Sequence, residues 1–151
     1  MAEALAIVGL ASNVVQFIDA ANGFVSFTHE LYKSGSLAEN SEIEKKTIAL
    51  EESLKKLQHG RNMDLDDKLK AMVEACFVLS ADLTMLLEGL KPNKQKNHLL
   101  QASSKSLKMM RKRGKIKDIE RRLEKMRDAI CSHLTIIIRF CSDQFHLLLV
   151  R

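Results

Sequence analysis

The chain has 151 residues, 46% hydrophobic and 28% charged, with a formal net charge of +5, which fits one globular domain and excludes wholesale disorder. It has one proline, six glycines, no tryptophan and few aromatics, which suits a helical bundle better than a sandwich or barrel, where a turn signal recurs roughly every 8–12 residues. The charge is unevenly spread: residues 1–75 carry 8 basic and 12 acidic side chains, and residues 76–151 carry 16 and 7, so the second half suits an acidic partner, an anionic lipid surface or nucleic acid.

Hydrophobic spacing predicts an all-α bundle of four to five helices in a single domain, 1–151. The first helix spans about 2–33. Its polar residues Gly9, Ser12, Asn13, Gln16, Asp19, Gly23, Ser26, Glu30 and Lys33 recur every three or four positions and form one narrow stripe. The rest of the cylinder is apolar, so the helix needs shelter among other helices or in lipid. Asn22-Gly23 is a candidate kink. From Ala4 to Phe27 the only charge is Asp19, over about the length that crosses a bilayer core. Glu3 stands where a secretory signal wants a cation.

Ser34-Gly35-Ser36 marks a break. The second helix, about 41–59, starts at a capping box of Ser41 and Glu44. Its seam is Ile43, Thr47, Leu50, Leu54 and Leu57, and Gly60 ends it. Asp64 is the expected cap of the third helix, 64–90. Its seam runs Leu65, Leu69, Met72, Cys76, Leu79, Leu83, Leu86 and Leu90, widened by Val73, Phe77, Val78, Met85 and Leu87. That width predicts two neighbours and a place near the middle of the bundle. Residues 91–97, with Lys91-Pro92-Asn93, form a turn. A weaker helix, 97–113, is broken by Gly114, and a fifth covers 115–145 with a stripe of Ile116, Ile119, Leu123, Met126, Ile130, Leu134, Ile137 and Cys141. The tail from Phe140 to Val150 loses the pattern and either packs or frays.

No enzyme is legible. The six glycines are isolated, so no phosphate-binding loop can be written. The five histidines lack zinc spacing. No catalytic, cofactor-binding or metal-ligating residue is expected, and no cofactor. Cys76, Cys131 and Cys141 sit in apolar helical patterns and make an odd count, which reads as reduced thiols in a cytoplasmic core. The strongest charge feature is the run from Lys91 to Lys117, ten cations without a carboxylate. Its densest part is Lys105, Lys108, Arg111, Lys112, Arg113, Lys115 and Lys117. These residues read as an anionic-surface patch for lipid headgroups, at about 1 kcal/mol per cation, or as a solvated face. Nucleic acid is disfavoured, because no aromatics interleave the cations and no reading helix is present.

The opening Met-Ala-Glu-Ala-Leu-Ala-Ile-Val-Gly-Leu-Ala-Ser-Asn-Val-Val-Gln-Phe-Ile-Asp resembles the N-terminal, HeLo-like domain of fungal NOD-like (STAND, NACHT-type) receptors. Glu30-Leu31-Tyr32-Lys33-Ser34, Ala38-Glu39-Asn40 and the block Lys115-Ile116-Lys117-Asp118-Ile119-Glu120-Arg121-Arg122-Leu123 share the likeness, which covers most of residues 1–140. The resemblance implies a helical bundle used in heterokaryon incompatibility and immune-type programmed cell death. It implies a cytoplasmic domain that homo-oligomerises on activation or pairs with another helical signalling domain, with recruitment to membrane. The first helix would be the membrane-active element, through Leu5, Ile7, Val8, Leu10, Val14, Val15, Phe17 and Ile18. Receptors of this group continue into an NTPase and a repeat array. This sequence carries neither, so the resemblance implies no nucleotide binding by it. A protein-binding adaptor bundle without membrane activity is the alternative.

Overall fold

The computed structural model describes residues 2–34, 40–64, 66–90 and 98–150, and the side chains of these apart from 2, 3, 32, 40, 87–90 and 98–112. Four α-helices account for nearly all of it: α1 Ala2–Ser34, α2 Asn40–Gln58, α3 Asp67–Leu90 and α4 His98–Leu149. A 3-10 turn, His59–Asn62, follows α2. No strand occurs among the described residues, so the all-α bundle is as expected.

The helices alternate in direction. Leu10 of α1 meets Gly60 and Gln16 accepts from Lys56 Nζ at 2.9 Å, so α1 and α2 are antiparallel. Asp82 faces Arg122 and Asp66 faces His133, so α3 and α4 are antiparallel as well. The result is an up-down-up-down bundle. The third helix was expected to hold the middle. It does touch all three others, but so does α1, and α1 has the more extensive packing against α2 and α4. Of the buried hydrophobic residues eight come from α1: Leu10, Ala11, Val14, Phe17, Ile18, Ala21, Phe24 and Val25. The polar stripe of α1 faces outward as the spacing implied, from Gly9 and Ser12 to Glu30 and Lys33.

Two expected interruptions are absent. Gly114 lies inside α4, where a glycine costs about 1 kcal/mol relative to alanine but keeps its backbone donor and acceptor. Burial of Ile116, Ile119 and Leu123 just beyond it outweighs that cost, so the fourth and fifth segments are one helix. Likewise α1 runs through Asn22-Gly23 unbroken. α2 ends at Gln58, one residue from the expected bound, and Gly60 sits in the 3-10 turn that follows it. Two caps also differ. Asn40 already belongs to α2, so Ser41 stands in its first turn instead of capping it. The cap of α3 is Asp66 and not Asp64: its Oδ1 accepts from Leu69 N at 2.8 Å, satisfying an otherwise orphaned donor. The expected turn at 91–97 lies outside the described residues.

The seams otherwise pack as spaced. Ile43, Leu50 and Leu57 of α2, Leu69, Val73, Cys76, Leu79, Leu83 and Leu86 of α3, and Ile116 to Ile130 of α4 are buried. Val78 and Met85 do not widen the α3 seam; they are exposed. Buried hydroxyls are satisfied within their own helices, Thr28 by Phe24 O and Ser53 by Leu50 O.

Candidate functional site

Of the two features singled out by sequence, the start of the apolar first helix and the basic segment sit at opposite ends of the bundle. His29 Nε2 lies 2.6 Å from Glu120 Oε1, so the start of α1 is carried away from the 105–117 stretch of α4. From Arg113 to Phe140 the rise along α4 is about 40 Å. The first turns of α1 and the basic stretch are therefore well separated along the bundle. Arg113, Lys115 and Lys117 are exposed. Lys105, Lys108, Arg111 and Lys112 lie on the helix but outside the described side chains.

The eight residues of α1 assigned to lipid contact divide in three. Leu10, Val14, Phe17 and Ile18 are buried, Ile7 and Val15 are half-buried, and Leu5 and Val8 are exposed. They do not form one outer face. By length and composition Ala4–Leu31, 28 residues that include an 18-residue stretch of mean hydropathy 1.6, is the one helix among the described residues able to cross a bilayer. A core helix of a soluble bundle passes the same test.

The exposed apolar surface collects elsewhere. Asp66 stands beside His133 and Gly60 against Leu10, so α3 begins and α2 ends well short of the bundle's lower end. Below that level, among the described residues, residues 2–9 of α1 and 134–149 of α4 continue. Ile7, Ile137 and Cys141 are half-buried at this level, and residues 142–150 are all exposed. Phe140, Leu147 and Leu149 are 64%, 70% and 82% exposed. The sequence reading left this tail open.

Polar ties between helices were not legible, because each joins residues far apart in the chain. Arg122 donates to Asp82 at 2.6 Å, linking α3 to α4. Arg61 donates to both oxygens of Glu74 at 2.9 and 2.8 Å and lies 4.0 Å from the Phe77 ring centroid, fastening the 3-10 turn to α3. That hydrogen-bonded guanidinium holds the Glu74 carboxyl below the usual carboxylate range. Arg121 does the same to Asp118. His133 Nε2 is buried, and Asp66 Oδ2 stands 2.8 Å away. The separation is that of an ion pair, without hydrogen-bond geometry.

Cys76 is buried beside Met126, Sγ to Sδ 3.5 Å, and burial pushes its thiol up to about 12. Cys131, expected in the apolar pattern, is exposed, and Cys141 is half-buried. Among the described residues no group of three or more His, Cys, Asp or Glu could hold a metal ion. A shallow groove of about 320 Å³ between α3 and α4 is lined by Ala71, Met72, Ala75, Leu79, Arg122, Lys125 and Met126. It is open and without convergent polar groups, unlike a small-molecule site.

None of the family models, curated proteins or solved structures compared with this chain matches it.

Proposed function

We propose that the chain is a non-enzymatic, cytoplasmic signalling domain of the HeLo-like kind, which assembles with itself on activation and then acts on membranes through α1. One observation carries this reading: the helix with the composition of a bilayer span is the central helix of the bundle, with its apolar arc inward and its polar stripe outward. Such a helix is stored in the fold and has a second environment, lipid, that can shelter the same side chains. Release is not free. Re-exposing eight buried residues of α1 to water costs on the order of 10 kcal/mol, comparable to the whole stability of a domain. Lipid or a neighbouring copy must therefore take over the surface as it opens.

The test is dye release from anionic and neutral liposomes. Leu5→Glu with Val8→Glu alters two exposed positions, so circular dichroism should stay that of the parent. Each glutamate opposes insertion by roughly 2–3 kcal/mol, and leakage should fall at least tenfold. Undiminished leakage from the folded double variant removes α1 as the lytic element. Replacing Arg113, Lys115 and Lys117 by Glu should weaken binding to anionic vesicles alone, most at low salt.

The full burial of Val14, Phe17, Ile18 and Phe24 favours a second reading, in which α1 stays in the core and the bundle is an adaptor for another helical signalling domain. A protein that binds neither vesicle supports that reading.

A further inference from the structure

We infer that the lower end of α4 is a homodimer interface, in which the tail of each copy lies antiparallel in the track that α3 leaves empty on the other. His133 marks where α4 meets the start of α3. Phe140 and Leu147 follow it at steps of seven residues and Ile136 at a step of three, so all three lie on the α3-facing side of α4. Yet α3 begins at Asp67, and these side chains are 59–70% exposed. The bundle thus lacks a helix along residues 136–149, a length of about 20 Å.

A second copy fits this vacancy better than a flat partner. Its own 136–149 segment is a helix of the required length with the same apolar side. A two-fold axis lets each segment fill the other's track. Ile136, Phe140 and Leu147 supply the exposed apolar strip on this side of α4. The charges are self-complementary too. An antiparallel crossing centred on residue 141 brings Arg139 of one copy beside Asp143 of its partner, and the reverse pair beside it. Both residues are exposed and border the Phe140–Leu147 side.

The dimer is a lipid-free state and goes beyond the membrane reading, so it is tested by sedimentation of the full chain without vesicles, while dye release is scored separately. We expect a monomer–dimer equilibrium at micromolar concentration. Phe140→Glu with Leu147→Glu should weaken dimerisation at least tenfold with helicity unchanged, whereas Val78→Glu with Met85→Glu on α3 should not. Arg139→Asp and Asp143→Arg, each alone, place like charges together twice and should weaken the homodimer several-fold. Mixed in equal amounts, these two variants should associate as the parent does, because every facing pair is then opposite in sign. The charge variants are fully surface changes and decide the matter even if the glutamate pair unfolds. A chain monomeric at high micromolar concentration overturns the inference. So does a dimer indifferent to the 139, 140, 143 and 147 substitutions, or a mixture no more associated than its components.

Discussion

Gly60 tests how closely α1 and the end of α2 are fitted. A Cβ at Gly60 falls 2.3 Å from Leu10 Cδ1 and 2.9 Å from Cδ2, far inside van der Waals contact. Leu10 is buried at 4% exposure, so it has little room to turn away. Two effects oppose each other in Gly60→Ala. The loss of unfolded-state freedom favours the variant by about 0.4–1 kcal/mol, since the backbone there is of a kind alanine adopts. Overpacking costs about 1–3 kcal/mol, and the depth of the overlap makes it the larger, so the net expectation is a loss of about 1–2 kcal/mol. Leu10→Ala alone leaves a cavity and should cost about 2–4 kcal/mol. In the double variant the new methyl occupies space that Leu10 vacated. Gly60→Ala then stabilises by about 1 kcal/mol instead of destabilising, a coupling of about 2–3 kcal/mol. Urea denaturation of the four proteins, with slopes held equal, measures it. Additivity within about 0.5 kcal/mol, or a Gly60→Ala single variant more stable than the parent, would refute the packing argument.

Gly114→Ala should have the opposite sign: nothing lies within 4 Å of its added Cβ and α4 is continuous there. A gain of about 0.5–1 kcal/mol is expected in urea, and a loss would mean that the chain bends at this position after all. Asp66→Ala should cost about 1 kcal/mol from the cap and more from His133 left unpaired. Asp66→Asn, which retains an acceptor for Leu69 N, should cost less; equal midpoints for the two variants would contradict the capping role. In a native thiol titration at pH 8, Cys131 should react first and Cys141 more slowly. Cys76, with its thiol raised to about 12 and buried, should react only after unfolding, so three thiols of equal rate would show that the core opens. Glu74 has a folded carboxyl depressed below its ordinary 4.5 by Arg61, so its stabilisation is present above that pH. It is lost as pH falls, because the unfolded state takes up the proton first. The stability gap between the parent and Glu74→Gln should therefore hold steady from pH 8 to 6 and shrink below about pH 4.5, and a gap that widens on acidification would reverse the assignment.

The seams were legible because burial in a bundle is set by periodicity, and Leu69 to Leu86 or Ile116 to Ile130 carry it in local sequence. The interruptions were not. A lone glycine is ambiguous until its neighbours are known: among the described residues nothing lies within 4 Å of a Cβ at Gly114, while Gly60 is crowded by a residue fifty positions away. Asp64 and Asp66 look alike as caps in a string, and only the hydrogen bond from Leu69 N separates them. Of the candidate site, the apolar character of α1 was readable but its division into Leu5 and Val8 outside and Phe17 and Ile18 inside was not. That division depends on which helices end beside it. The uncovered tail of α4 likewise follows from the shortness of α2 and α3, a relation between elements that no single window contains.

Those length differences bear on how the bundle could open. α1 is packed by α2, α3 and α4, and α2 and α3 stop short of its first turns. Its lower turns therefore have the fewest contacts to break, and local opening starts where contacts are fewest. The same level carries the exposed apolar tail of α4. A lipid surface or a second copy arriving there meets Leu5 and Val8 first and can cover residues of α1 turn by turn as they leave the core, so the cost of release is never borne in water all at once. Approach from the basic end would have to displace Phe24 and Val25 before reaching the start of α1. If α1 is released, its N-terminal turns should lose amide-exchange protection before those around Phe24. Protection lost first around Phe24 would place the opening at the basic end and remove the lower end from the mechanism.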